Sequence, residues 1–315
     1  MGVRAFPAGV AATDVDFAST VSAMRAAKLD RLSPYLRDEM DHRWSGGKPD
    51  FLTDDLRASA DVTATSAISS NRYDKHALDL IHSLPDGLIL DCGSGRRGVY
   101  FPNVVNFEIA DYDTTDVVGV GEELPFKDSS FDAVISIAVL EHVRNPFRCA
   151  AEIVRVLKPG GRLICCVPFL QPYHGYPQHY FNMSHQGLRS LFEDELQIDD
   201  HQVIGSMLPI WTLSWMINSW AEGLPTKARN RFLSMTLKDL AGPPRSYLQE
   251  EFVQSLSQAK NFELASATML FASKPVSPKD PPASPLGRDH YFKGARMRRG
   301  SSWLGRLRRL LRGGR

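Results

Sequence analysis

The apolar run Leu88-Ile89-Leu90-Asp91 passes without a break into Cys92-Gly93-Ser94-Gly95. A short buried strand opening directly into a glycine turn restricts the architectures available to the chain. Glycine takes positive φ at little cost and lets the backbone approach a ligand closely. At the carboxyl end of a central parallel strand, such a turn lies where open α/β sheets bind nucleotides. Taken alone the signal is weak, because glycine turns are common as plain structure.

The chain that follows alternates. Residues 104–108, 116–120, 131–137, 162–168 and 197–203 read as strands, and 73–84, 146–157 and 184–192 as helices. Lys158-Pro159-Gly160-Gly161 reads as the turn closing the second of these helices. Strands alternating with helices predict a mostly parallel sheet covered on both faces. Residues 14–85 read as helices and loops, broken by Ser45-Gly46-Gly47 and Lys48-Pro49. Residues 205–258 read as mostly helical, and 261–274 as a last strand. The expected organisation is an N-terminal helical segment (1–85), a sheet domain (86–274) with a helical insertion at about 205–258, a Pro-rich linker (275–287) and a basic tail (288–315).

Charge balance excludes some functions. The 315 residues carry a formal net charge of +1, so the chain as a whole is no polyanion binder. The four cysteines (Cys92, Cys149, Cys165 and Cys166) form no CxxC pair or zinc-type spacing and read as reduced core thiols. The N-terminus lacks the apolar stretch of a signal peptide, and no run reaches the roughly 18 apolar residues of a spanning helix. A cytoplasmic protein, peripheral at a membrane through its tail, is the expectation.

Further along stand Glu108, at the end of the second strand, Glu122-Glu123-Leu124-Pro125-Phe126, Ser130-Phe131-Asp132, Leu140-Glu141-His142-Val143 and Arg155-Val156-Leu157-Lys158-Pro159-Gly160-Gly161. Together with the glycine turn, this ordered set over residues 86–203 resembles the class I S-adenosylmethionine-dependent methyltransferases, in the branch with an LPF segment before strand four. The resemblance implies a Rossmann-like, doubly wound α/β sheet, mostly parallel with an antiparallel C-terminal strand at 261–274, plus helical additions. It implies S-adenosylmethionine as cofactor. Asp91, Cys92, Gly93 and Gly95 would surround its methionine part, Glu108 would hold the ribose, and Glu122 and Leu124 would wall the adenine. Ala138, with Ile137 and Leu140, would line the floor under the sulfonium, and His142 would stand near the catalytic cleft. The chain departs from the family at two places. Only residues 96–103, with Pro102 among them, fill the gap where a full helix is usual, and Val120 stands where the family often carries an adenine-binding Asp.

The loop at 168–181 follows the fifth strand, where the resemblance implies acceptor entry, and holds His174, His179 and three tyrosines. Either histidine is a candidate general base, since imidazole titrates near neutral pH. Pinning of the loop by its prolines and aromatics is the plainer reading. Metal ligation by His142, His174 and His179 is not expected, because no regular spacing links them.

In the tail, Trp303, Leu304, Leu307, Leu310 and Leu311 share one helical face, and Arg306, Arg308, Arg309 and Arg312 cover the other. A helix over 302–312 on an anionic membrane surface, arginines meeting nucleic-acid phosphates, and plain solvated chain all stay open. The apolar stripe favours the first, and nucleic acid is the least favoured. The function expected is methyl transfer to an unidentified small-molecule or glycan acceptor, with O-methylation of a glycan or lipid-linked substrate in view. Two rivals stand beside it: a non-catalytic binding protein on the same fold, and a nicotinamide-dependent oxidoreductase. The LPF and LEHV motifs and the lack of a GxGxxG helix start count against the second rival.

Overall fold

The structure is a computed structural model, and it describes residues 9–269 except 15, 64–67, 71 and 176. The linker and the basic tail therefore lie outside the described residues. The chain forms two compact units that divide between Trp215 and Met216.

The strands are β1 (Val10–Ala11), β2 (Arg43–Ser45), β3 (Lys48–Asp50), β4 (Ile89–Cys92), β5 (Val99–Tyr100), β6 (Val104–Glu108), β7 (Val117–Val118), β8 (Phe131–Ile137) and β9 (Leu157–Cys166). Seven of them make one sheet in the order β2-β3-β7-β6-β4-β8-β9. Strand β4 lies in parallel between β6 and β8, with Leu90 opposite Val105 on one side and Val134 on the other. Strands β8 and β9 are parallel, and so are β6 and β7. The antiparallel pair is the hairpin β2-β3 at the opposite edge from β9.

Alternation along the strands sends neighbouring side chains to opposite faces. Leu90, Cys92, Val105, Phe107 and Val134 build one core layer, while Ile89, Val104, Ala133 and Ile135 build the other. Helix α1 (Phe17–Leu32) contributes Leu29 and Leu32 to the first layer. The short α2 (Asp54–Ser59) is capped by Thr53. Helix α3 (Lys75–Ser83), capped by Asp74, puts Ala77, Leu80 and Ile81 on the second layer. Helix α4 (Pro146–Val156) begins on the Asn145 side chain with Pro146 in its first turn. Its buried residues, Cys149, Ala150, Ile153 and Val156, recur at the 3–4 spacing of an amphipathic helix facing the first layer. The sheet is thus covered on both faces, as its alternation predicts. Helix α1 is also tied inward by Lys28, whose Nζ lies 2.7 Å from Asp116 Oδ2 with both side chains fully buried. Burial pulls that ammonium down to about 8 in spite of Asp116.

Helices α5 (His185–Ser190) and α6 (Pro209–Glu222) follow; the second passes from the first unit into the next. The second unit holds α7 (Thr226–Ser234), α8 (Leu237–Leu240), α9 (Glu251–Gln254) and α10 (Gln258–Glu263). They close around Ala221, Leu224, Ala228, Phe232 and Phe252.

Three elements differ from the sequence reading. Residues 1–85 are not purely helical, because β3 pairs with β7 and carries the hairpin onto the sheet. Residues 197–203 form no strand; only Ile198 packs against the core there, while Asp199, Asp200 and His201 are exposed. The antiparallel strand is the Arg43–Asp50 hairpin and not the C-terminal 261–274, whose described part begins in α10 and continues without strand to residue 269. Ser257 caps α10 through the Lys260 N–H, which commits Asn261 to Glu263 to helix.

Candidate active site

The carboxyl ends of β4, β6 and β8 meet around a cavity of about 80 Å³. Cys92, Gly93, Glu108, Glu122, Ala138 and His142 line it, with two loop segments at 60–62 and 177–178. The glycine turn shapes its floor. Gly93 has φ +76, and a Cβ there would come within 2.5 Å of the Val139 side chain. Gly95 has φ +61, and its Cβ would meet the Ser69 carbonyl at 2.8 Å. Both positions need glycine for conformation and for space.

Glu108 closes the turn. Its Oε2 accepts the Gly95 N–H at 2.7 Å and its Oε1 the Ile109 N–H at 2.8 Å. Burial raises its pKa against the pull of these N–H groups. Each carboxylate oxygen keeps a further lone pair, which suits a vicinal diol. Glu122 lies at the far end, where its Oε1 accepts the Arg144 N–H at 3.0 Å. Val120 is buried beside Leu52 and Val118 and offers no polar group, as its side chain requires.

Asp91 is used differently from the sequence expectation. It is fully buried, and Arg97 bridges its two oxygens at 2.8 and 2.9 Å while the Tyr73 hydroxyl donates to Oδ2 at 2.6 Å. The guanidinium also lies over the Tyr73 ring, 4.2 Å from its centre. Asp91 therefore clamps the segment that stands in place of the usual helix after the turn. No helix forms at 96–103; β5 pairs there with β1 instead. Leu124 is likewise no wall of the cavity. It is fully buried in the core layer under α4, with its N–H donated to Glu152.

Ala138 takes φ +56, a conformation rare outside glycine, and its N–H donates to the Cys166 carbonyl at 3.0 Å. It lines the small cavity and also a large open groove along β9, together with Cys166, Pro168, Phe169 and Met207. One backbone position thus separates two spaces.

The three histidines separated in sequence come together. Ring centres lie 5.2 Å apart for His142 and His174, 5.6 Å for His142 and His179, and 4.3 Å for His174 and His179. The 168–181 loop is held over the strand ends by Tyr180, whose N–H donates to the Glu141 carbonyl at 2.7 Å and whose hydroxyl donates to Asp61 at 2.6 Å. Burial pushes His142 down to about 4 and lowers His179 also. Glu141, passed over in the sequence reading except as part of LEHV, is fully buried beside them, and burial pushes its carboxyl up to about 8. The sequence reading also missed Arg97 and Tyr73, because nothing in the local pattern marks a partner for Asp91.

A doubly wound sheet with a glycine turn, an acidic residue on the neighbouring strand and a second space across Ala138 has the arrangement of a nucleotide-type small-molecule site. Comparison with known proteins narrows it. Residues 99–165 match the family model described as "Methyltransferase domain". A demethylmenaquinone methyltransferase of Renibacterium salmoninarum is 35% identical over 105 residues, which is 33% of this chain and 38% of that protein. An uncharacterized methyltransferase of Mycobacteroides abscessus is 38% identical over 91 residues, 28% of this chain and 31% of that one. The chain thus spans well under half the length of these relatives. Among solved structures, a SAM-dependent methyltransferase of Thermotoga maritima is 22% identical, over 35% of this chain and 64% of that one, with a TM-score of 0.27. The family-model match runs from β5 into β9, so the likeness to methyltransferase domains is confined to that part of the sheet unit.

Proposed function

We propose that the protein transfers a methyl group from S-adenosylmethionine to a small-molecule or glycan acceptor. The observation carrying this reading is Ala138, which lines both the cavity bounded by Gly93 and Glu108 and the groove along β9. A donor in the first and an acceptor in the second would face each other at that residue. The cofactor supplies an already activated methyl group, so the protein's contribution is mainly alignment. Glu108, Gly93 and Ala138 would hold it. The lone pairs left on Glu108 suit the ribose hydroxyls. The cavity is smaller than the roughly 300–1,000 Å³ of ordinary ligand pockets, so the whole cofactor would need more room than it offers.

Where the acceptor holds its proton, as an alcohol does, His142, the one of the three histidines that lines the cavity, would take it, which would make the reaction an O-methylation. Exposed Phe169 and Leu170 along the groove suit a lipid-linked or quinone-like acceptor, and the relatives named for demethylmenaquinone put a quinone in the first acceptor screen. The basic helix expected at 302–312 would bring the chain to an anionic membrane. No helix among the described residues is long and apolar enough to cross one.

A second reading, a non-catalytic binding protein on the same fold, is favoured by the clamp of Arg97 on Asp91. The test is calorimetric titration with S-adenosylmethionine, followed by turnover assays on an acceptor panel. Binding with turnover supports the enzyme; binding without turnover on any acceptor supports the second reading.

A further inference from the structure

The side chains of Glu141, His142 and His174 converge, with one potential ligand atom from each lying within 4.8 Å of the other two. We propose that they form a three-ligand site for a divalent transition metal of the zinc class.

Glu141 carries the argument. Its side chain is 0% exposed, yet neither carboxylate oxygen has a hydrogen-bond partner. Buried polar groups ordinarily find partners, and a buried carboxylate without one calls for a counter-charge. Its one ion-pair neighbour among the described residues is the His142 ring, with Nε2 at 3.7 Å from Oε1.

His142 and His174 each have one ring nitrogen committed to a backbone carbonyl. His142 Nδ1 lies 2.5 Å from the Gln178 carbonyl and His174 Nδ1 lies 2.9 Å from the Pro172 carbonyl. A carbonyl only accepts, so each Nδ1 carries the proton and each Nε2 presents a lone pair. Backbone carbonyls fix the tautomer of metal-binding histidines in this way. His179 differs. Its Nδ1 accepts the His174 N–H at 3.0 Å and its Nε2 faces Asn182 Oδ1 at 2.9 Å, so both nitrogens are engaged in holding the loop. It is a positioning residue and not a ligand.

Two neutral imidazoles and one carboxylate are a set that zinc accepts with an open fourth position, at ligand distances of about 2.0–2.2 Å. In a tetrahedron this puts ligand atoms about 3.3 Å apart, so the 3.7 Å pair needs only a small contraction. Magnesium and calcium, which prefer oxygen shells, suit the set poorly. Regular spacing in sequence is no requirement when a loop folds back over a strand end, which reverses the expectation drawn from spacing alone. His142 also lines the small cavity, so the open position would face it. That an acceptor oxygen would bind there rests on the methyl-transfer reading; the site itself does not.

The test uses the full chain, stripped with chelator and titrated with Zn²⁺ by calorimetry, and with Co²⁺ by visible absorption. One equivalent should bind, with the intense ligand-field bands of four-coordinate cobalt. Glu141→Gln and His174→Gln should each weaken binding at least tenfold. His174 sits on a loop outside the core, so this variant remains informative if the Glu141 variant fails to fold. Replacing the neighbouring His185 and His201 with alanine should leave binding intact. Absence of stoichiometric binding, binding unchanged in His174→Gln, or binding lost only in the His185/His201 variant would each overturn the proposal.

Discussion

Asp91 and Glu108 end adjacent parallel strands, and both carry the carboxylates that a sequence reading assigns to the cofactor. Their surroundings separate them. Glu108 holds two backbone N–H groups and keeps acceptor capacity toward the cavity. Asp91 is filled by Arg97 and Tyr73. Asp91→Ala would leave a buried guanidinium without its partner, a loss of about 3–5 kcal/mol in systems of this kind. Denaturant unfolding of Asp91→Ala should therefore show a large fall in stability; a stability unchanged from the parent would contradict the clamp. Gly93→Ala tests the turn. A Cβ at φ +76 costs about 1–2 kcal/mol, and here it also meets Val139. The expected outcome is a moderate drop in Tm with at least tenfold weaker S-adenosylmethionine binding, read by calorimetry.

Between elements, Asp132 at the start of β8 links two neighbours. It accepts the Leu88 N–H at 2.9 Å and the Lys158 Nζ at 2.9 Å. Burial alone would raise its pKa, but those donors together outweigh it and the net shift is downward. A carboxylate with a lowered folded pKa stabilises the fold fully above its unfolded value of about 3.9 and loses that contribution as pH falls through the folded value. Asp132→Asn should accordingly be less stable than the parent near neutrality, with the gap narrowing in acid. A gap that widens in acid would contradict the assignment. The central strands were legible in the sequence because Ile89 to Asp91 is a continuous buried run and Phe131 to Ile137 is buried over Ala133 to Ser136, and α4 because Asn145-Pro146 starts it and its apolar residues repeat at helical spacing. The hairpin Arg43–Asp50 was not, because β2 is wholly exposed and β3 contains Pro49, so neither shows strand periodicity. In the site, the glycine turn and Glu108 were legible as motifs. The Asp91–Arg97 clamp and the isolation of Glu141 depend on what the folded chain brings near them, which no local pattern records.

On the scale of the whole molecule, the sheet unit brings together a small cavity and a large groove, and Phe169 and Leu170 are exposed along the groove. In the proposed membrane-surface reading, the arginine-rich residues 288–315 would bring the chain to a lipid surface. Co-sedimentation checks it. The full chain should pellet with vesicles containing phosphatidylserine and not with neutral vesicles, and removal of residues 288–315 should abolish the effect. Equal pelleting with and without those residues would remove the tail from the account.

Calorimetry on the full chain beside Glu108→Ala tests most directly the proposal that Glu108 and the glycine turn hold S-adenosylmethionine. The account predicts micromolar binding to the parent and binding weakened at least tenfold in the variant, with the variant still folded by near-ultraviolet circular dichroism. Absence of binding to the parent at millimolar ligand, or equal binding to both proteins, would contradict it.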